Sequence, residues 1–162
     1  LTLENRGFIF FLSFFFSTAL PIITVLTFIR MNLVKDIDAS NRSERLLPMA
    51  LGALFFLIGF IILRELDSPK ILQGVMFCGI INTIIVWLIT KYWKISIHTV
   101  SMTSGIVIFW ILGYKYIILM SITLILTIFS RLITNSHTLS QTIVGAFIGL
   151  ASTYTQLVLL FI

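Results

Sequence analysis

The chain has 162 residues, of which 59% are hydrophobic and 10% are charged, with a formal net charge of +5. A soluble domain carries roughly a quarter charged residues, so this composition excludes a soluble globular protein and indicates an integral membrane protein. The basic residues are scattered through short polar segments, which argues against nucleic acid as a partner and favours anionic lipid or a phosphorylated ligand.

Six apolar runs follow one another along the chain, the fifth of them residues 117–129, and all charged residues fall outside these runs. A helix needs about 20 residues to cross the hydrocarbon of a bilayer, and four or five of the runs are long enough alone. The fifth is short and can span if the residues flanking it sit at the two interfaces. We therefore predict an all-α bundle of about six transmembrane helices in a single domain, residues 1 to 162, with spans at residues 7–29, 46–63, 71–90, 95–114, 115–131 and 138–162.

The first run reads as a span rather than a cleaved signal, because it is too long and no small-residue cleavage site follows it. Pro21 inside it predicts a kink.

The loop from Arg30 to Arg45 holds seven of the seventeen charges and is the polar centre of the sequence. Within the third run, Cys78 stands alone, so the sequence predicts neither a disulfide nor a thiolate metal site.

The last run places His137, Gln141, Gly145 and Gly149 four residues apart, so they share one face of a helix. The two glycines form a small-xxx-small pattern, which is typical of close contact between membrane helices. We therefore expect His137 and Gln141 to point into the bundle and not toward lipid.

If the spans alternate across the membrane, the first, third and fifth loops lie on the same face. Those loops carry two histidines and three cations that suit a phosphate group, because Arg and Lys neutralise phosphate oxygens and His can attack phosphorus or donate a proton. The candidate residues are Lys35 and Arg42 in the first loop, Ser96 and His98 at the start of the fourth span, and Ser130, Arg131 and His137 around the fifth loop.

These residues resemble the three-part pattern of the type 2 phosphatidic acid phosphatase superfamily, which includes bacterial acid phosphatases and vanadium haloperoxidases. The first part, K-x6-R-P, is matched by Lys35 and Arg42, with Ser43 in place of the proline. The second part, P-S-G-H, is similar to the stretch 95–98, which reads Ile-Ser-Ile-His.

The third part of the family pattern, S-R-x5-H-x3-D, is matched by Ser130, Arg131 and His137, with Gln141 in place of the aspartate. An aspartate there would orient the histidine and stabilise its protonated form, whereas a glutamine brings no charge. Ile97 also replaces a glycine, which narrows the approach to the site.

The resemblance implies a phosphatase of lipid phosphates or pyrophosphates that uses no metal or other cofactor. His137 would attack phosphorus and form a phosphohistidine, His98 would protonate the leaving oxygen, and position 141 would orient His137. The implied phosphate ligands are Lys35, Arg42, Ser96 and Arg131. A bacterial inner membrane is the expected location, with membrane lipid around the protein and a second copy or another membrane subunit as a possible partner.

Three interpretations remain open at this point. The first is an active lipid phosphatase. The second is a catalytically weakened or silent relative that binds a lipid or phosphate headgroup, which the substitutions at Gln141 and Ile97 favour. The third is a small membrane subunit without enzymatic activity, in which Gln73 and Asn82 join helices by hydrogen bonds and the histidines serve a proton path.

Overall fold

The computed structural model describes residues 3 to 37 and 41 to 162, and all regular secondary structure within these ranges is helical. The first helix consists of α1, a π-helical segment and α2 without interruption, and a 3-10 turn precedes α3. In chain order the elements are α1 (Leu3–Phe14), the π segment (Phe15–Ala19), α2 (Leu20–Arg30), the 3-10 turn (Ser43–Arg45), α3 (Leu46–Glu65), α4 (Lys70–Thr90), α5 (Ile97–Ile111), α6 (Ile117–Ile133) and α7 (Leu139–Leu160).

The predicted all-α class is confirmed, and four stretches are long and apolar enough to cross a membrane: Asn5–Arg30, Ser43–Glu65, Lys70–Thr90 and Leu139–Leu160. Helices α5 and α6 are apolar but have only 15 and 17 residues. Helix α5 is shorter than the predicted span 95–114, because Ser96 caps its start and Gly113 follows its end with φ of +90°. A total of six transmembrane helices therefore stays a prediction.

A π-helical segment, Phe15–Ala19, ends two residues before Pro21, and the kink expected at this proline stays a prediction. Proline has no N–H to donate to the preceding turn, and the hydrogen-bond ladder changes register there. The backbone N–H of Leu20 accordingly donates to the carbonyl of Phe15, five residues back. The π segment places Ser17 and Thr18 side by side, with their hydroxyl oxygens 3.3 Å apart.

The outer surface of the bundle is apolar, whereas much of its interior is polar. Large apolar side chains such as Phe10, Ile118 and Leu159 are more than 70% exposed. Buried side chains include Asn82 and several threonines on α5 and α7. This distribution is the reverse of that in a soluble protein and suits surroundings of lipid.

Helices α5 and α7 lie parallel and in close contact along a row of small residues. A Cβ atom at Gly145 would collide with the Thr99 side chain, and one at Gly149 would collide with Thr103 and with the carbonyl of Val100. The small-xxx-small contact predicted from the two glycines is therefore present, and its partner is α5. Gly145 meets Thr99 and Gly149, one turn later, meets Thr103. Residue numbers thus rise in the same direction along both helices, so the two helices begin at the same end of the bundle.

A buried hydrogen-bond network joins α4, α5 and α7 halfway along the bundle. The Asn82 amide donates to Ser104 at 3.1 Å and to Thr153 at 2.8 Å, and its carbonyl accepts from Ser152 at 2.7 Å and from Gln156 at 3.2 Å. Asn82 thus joins helices as the third interpretation expected. Gln73 instead donates to the carbonyl of Ser68, in the turn before its own helix.

The starts of α3, α5 and α7 and the ends of α2, α4 and α6 share one end of the bundle, called the site end below. The Trp87 indole N–H donates to the carbonyl of Leu46 at 3.0 Å, which joins the end of α4 to the start of α3. The backbone N–H of Ser96 donates to the carbonyl of Gln141 at 3.3 Å, which joins the starts of α5 and α7. The alternation of short loops predicted this arrangement.

Gly149→Ala is expected to destabilise the bundle by about 1–3 kcal/mol, because the added Cβ would meet a backbone carbonyl that cannot rotate away. Thermal unfolding in detergent should show the midpoint falling by several degrees. Gly105→Ala is the matched control, since a Cβ at Gly105 meets nothing within 4 Å. Equal losses in both variants would show that the α5–α7 contact is not a determinant of stability.

Candidate functional site

His137 lies in the turn before α7 and is held by the first turn of that helix. Its side chain is 7% exposed, and Nδ1 lies 3.0 Å from Oε1 of Gln141. The same oxygen accepts a hydrogen bond from the backbone N–H of Thr138 at 3.2 Å, and the hydroxyl of Thr138 accepts from the backbone N–H of Gln141 at 3.4 Å. These two bonds form a capping box, T-x-x-Q, that starts α7.

The capping box determines which imidazole nitrogen of His137 carries the proton when the side chain is neutral. An N–H of Thr138 can only face an acceptor, so the Gln141 amide must present its oxygen to Thr138 and therefore also to His137. A neutral His137 then carries its proton on Nδ1 and leaves Nε2 with a free lone pair. Nε2 is consequently the atom with which His137 could attack phosphorus.

Ser96 and His98 sit at the start of α5, next to the start of α7. Ser96 is fully buried and acts as the N-cap of α5, with its hydroxyl accepting from the backbone N–H of Thr99 at 3.4 Å. His98 is exposed. The backbone bond from Ser96 to Gln141 places the second and third parts of the motif side by side.

Two cations that the sequence analysis did not select lie close to the histidines. Arg45 is 4% exposed and donates to the carbonyl of Ile95 at 3.3 Å, directly before Ser96. The positive charges of Arg45 and Lys94 both lower the pKa of His137. The sequence does carry a signal for Arg45. Arg45 follows Arg42 by three residues, so the two arginines share a face if the helix starts near Arg42.

The first loop lies at the rim of the site end. Arg42 is exposed and donates to the carbonyl of Tyr92 at 2.6 Å. The carboxylate of Glu44 accepts from the Lys35 backbone N–H and from the Asn41 side-chain amide, each at 3.0 Å. Asp36 is half-buried, and Asp38 lies outside the described residues.

Arg131 and Ser130 lie at the end of α6, where a long cavity of about 820 Å³ runs between α5 and α6. This α5–α6 groove has His98, Ser130 and Arg131 at the site end and Tyr114 and Tyr116 at the other. Its middle is lined mainly by apolar side chains, among them Met102, Ile106, Phe109, Leu119, Met120 and Leu126.

The structure thus gathers Ser96, His98, His137 and Gln141 at the starts of two touching helices, and Arg131 shares the α5–α6 groove with His98. Within the described parts of the chain, no three His, Cys, Asp or Glu side chains are grouped so that they could hold a metal ion.

Burial lowers the pKa of His137 to about 4, and the charges of Arg45, Lys94 and His98 lower the pKa in the same direction. The hydrogen bond to Gln141 acts the opposite way without reversing the shift. At neutral pH His137 is therefore an uncharged imidazole, the form that can act as a nucleophile.

The pKa of His137 predicts a pH dependence of stability. The unfolded chain takes up this proton near pH 6.5 and the folded chain only near pH 4, so the unfolded state binds more protons between the two values. Stability should be fully present above pH 6.5 and fall as the pH drops through this window, by roughly 3 kcal/mol at most.

Titration of the imidazole NMR signals in detergent checks this expectation directly. The chain has two histidines, so His98→Gln assigns the remaining signal to His137. A His137 signal that titrates near pH 6.5 in this variant would contradict the assigned burial and charge environment.

Comparison with protein-family models, with curated proteins and with solved structures found no match for this chain. The resemblance to the phosphatase superfamily consequently rests on the motif residues alone.

Proposed function

We propose that the protein is a membrane-embedded phosphatase of a lipid phosphate or pyrophosphate, that all six helices cross the bilayer, and that a bacterial inner membrane is its location. The observation that carries the proposal is the state of His137, a neutral imidazole with Nδ1 held by Gln141 and Nε2 unprotonated. A nucleophile needs that free lone pair, and the neighbouring cations provide for the anionic group it would attack.

The reaction proceeds in two steps. In the first, Nε2 of His137 forms a bond to phosphorus while the bond from phosphorus to the lipid or diphosphate oxygen breaks, and His98 gives a proton to that oxygen. In the second, His98 takes a proton from water as the water oxygen attacks the phosphohistidine, which releases phosphate and restores both imidazoles. The proton that His98 gives up in the first step is returned to it in the second, so the full cycle leaves the protein with the protons it started with.

The positive charges at the site end supply the electrostatic part of the mechanism. Arg45, Lys94 and Arg131 provide guanidinium and ammonium groups for phosphate oxygens, and charge on those oxygens grows in the transition state. Lys35 and Arg42, which the family resemblance selects, lie at the rim and would meet the outer part of a headgroup. Ser96 still has a hydroxyl proton to donate, because its oxygen acts as the acceptor in the N-cap.

The α5–α6 groove supports a lipid as the substrate. Its charged end at His98 and Arg131 suits a phosphate, and its apolar length suits a hydrocarbon chain that lies along the helices. A water-soluble phosphate ester would gain nothing from this surface, whereas each buried methylene group of a lipid contributes about 0.8 kcal/mol.

A second candidate function, a silent relative that binds the headgroup without hydrolysis, is favoured by two observations. Gln141 is neutral and is occupied by the capping box. His137 is nearly buried and does not line the α5–α6 groove, whereas His98 does. Hydrolysis on this chain requires the headgroup to reach past His98 to Nε2.

The deciding experiment is phosphate release from detergent-solubilised lipid phosphate in EDTA, with vanadate as the inhibitor. Wild type should be active, and His137→Ala should abolish release. Gln141→Glu should raise turnover tenfold or more, because a carboxylate of the same length keeps the capping box and stabilises the imidazolium; replacing the carboxylate by an amide in the serine-protease triad costs about 10⁴.

Gln141→Asp is the control for side-chain length, since its shorter carboxylate adds the charge but loses the reach of the capping box. Release that survives His137→Ala would rule out His137 as the nucleophile. Bound lipid phosphate without release in any variant would favour the silent relative.

Arg45 and Arg42 offer a further comparison. Arg45→Met should weaken vanadate inhibition by more than tenfold, because a buried guanidinium near His137 holds an anion more strongly than an exposed one. Arg42→Met, the matched control at the rim, should change inhibition less than threefold, as expected for a solvated charge. A larger effect of Arg42→Met than of Arg45→Met would show that the phosphate lies at Arg42, the residue of the family motif, and not at Arg45.

A further inference from the structure

A second long groove runs beside α5, between α5 and the first helix. We call it the first-helix groove. Its volume is about 660 Å³, and its walls come from the π segment, α3, α4 and α5. This volume is in the range of cavities that hold drug-sized molecules. None of the described residues that line the groove is charged, so the groove suits an uncharged ligand.

Polar residues of the first-helix groove lie at the mid-depth of the bundle. Ser17 and Thr18 stand at the middle of the first membrane-crossing stretch, Asn5–Arg30, and Thr83 lies three residues from the middle of α4. Ser104 is the central residue of α5. In a bilayer this depth is the centre of the hydrocarbon, where a hydroxyl group has no bulk water to bond.

Hydroxyl groups on two walls of this groove still have a proton to donate. The Thr83 side chain has no hydrogen-bond partner among the described residues. Ser17 and Thr18 bond each other at 3.3 Å, so the hydroxyl that accepts keeps its own proton. Elsewhere on the same helix, Ser13 and Thr24 each donate to the carbonyl four residues back. The irregular π segment thus presents a hydroxyl donor to the groove, which is a feature often found at functional sites.

Two other polar side chains of the groove are already bonded. Asn82 uses both its amide nitrogen and its carbonyl oxygen in the network between α4, α5 and α7. The Ser104 hydroxyl accepts from Asn82 at 3.1 Å and donates to the carbonyl of Val100 at 2.8 Å. The groove therefore lacks acceptors for donors that lie on two different helices, the first helix and α4.

We propose that the first-helix groove binds a lipid-soluble quinone, an uncharged flat ring with two carbonyl oxygens and an apolar tail. One carbonyl accepts from Thr83 and the other from the Ser17–Thr18 pair, while apolar residues such as Phe56 and Val86 contact the ring and the tail. This site is separate from the proposed phosphate site and does not depend on it.

The depth of the donors distinguishes a quinone from other apolar occupants. An acyl chain of a bilayer lipid keeps its ester oxygens at the interface and brings no acceptor to mid-depth. An alcohol brings a further proton that itself needs an acceptor, whereas a carbonyl oxygen only accepts. Two carbonyls on opposite sides of one rigid ring match donors on two different walls.

The test measures equilibrium binding of two radiolabelled probes to the full chain in detergent, each corrected for partition into protein-free micelles. One probe is trimethyl-decyl-benzoquinone, and the other is the benzene with the same substituents and no oxygens. Every free ring position of the quinone is substituted, so that it cannot add to the thiol of Cys78, which also lines the groove.

Wild type should bind the quinone about tenfold or more tightly than the hydrocarbon, as two neutral hydrogen bonds allow. Thr83→Val keeps the shape of the side chain and removes the hydroxyl. It should weaken quinone binding by about three- to tenfold, the effect of one such bond, and leave the hydrocarbon unchanged. Ser17→Ala combined with Thr18→Val should do the same from the other wall.

Thr127→Val is the matched control, because Thr127 lines only the α5–α6 groove and its hydroxyl donates to the carbonyl of Thr123. It should leave both probes unchanged. The variants of either wall suffice for the test if those of the other do not fold.

Equal affinity of wild type for the two probes overturns the proposal, and so does quinone binding that the variants of neither wall weaken. Weakening by Thr127→Val as large as that by Thr83→Val would place the quinone in the α5–α6 groove and refute the assigned site. Thr83→Phe, which obstructs the first-helix groove, should abolish quinone binding, and binding that survives it would equally refute the site.

Discussion

The close contact between α5 and α7 is the constraint on which the site depends. The absence of side chains at Gly145 and Gly149 lets the two backbones approach, and the approach brings the Ser96 N–H to the carbonyl of Gln141. Because the helices are parallel, both histidine-bearing starts arrive at one end. Helix α6 is left beside this pair with no buried residue of its own, and the space it fails to fill is the α5–α6 groove.

Much of the fold could be predicted from the sequence, because apolar runs and short loops leave few ways to arrange helices in lipid. The spacing of His137 and Gln141 predicted that they share a helical face, and the sequence T-L-S-Q at 138–141 is itself typical of a capping box. The spacing of Arg45 from Arg42 could have marked Arg45 as a candidate, but its proximity to His137 could not be predicted. It arises where loops distant in sequence meet, and no local pattern encodes that contact.

The electrostatics of the site depend on its occupant. Without an anion, burial and three neighbouring positive groups oppose protonation of His137, and Gln141 offers only a dipole in compensation. In the family that the motif resembles, an aspartate supplies the countercharge permanently. Here a bound phosphate is the group that would supply it, so anion binding and the proton affinity of His137 should rise together. At the proposed phosphate site, the anion therefore takes the place of the carboxylate that the family motif has at the position of Gln141.

The lengths of the helices have a consequence for the membrane around the protein. At about 1.5 Å per residue, the 15 residues of α5 cover about 22 Å, against roughly 30 Å of hydrocarbon in a typical bilayer. With α5 and α6 crossing as proposed, lipids beside them must shorten or tilt to match, while those beside α3 and α4 need not. The bilayer would be thinnest at the helices that carry the groove, and hydrophobic mismatch would draw headgroups there toward the level of His98.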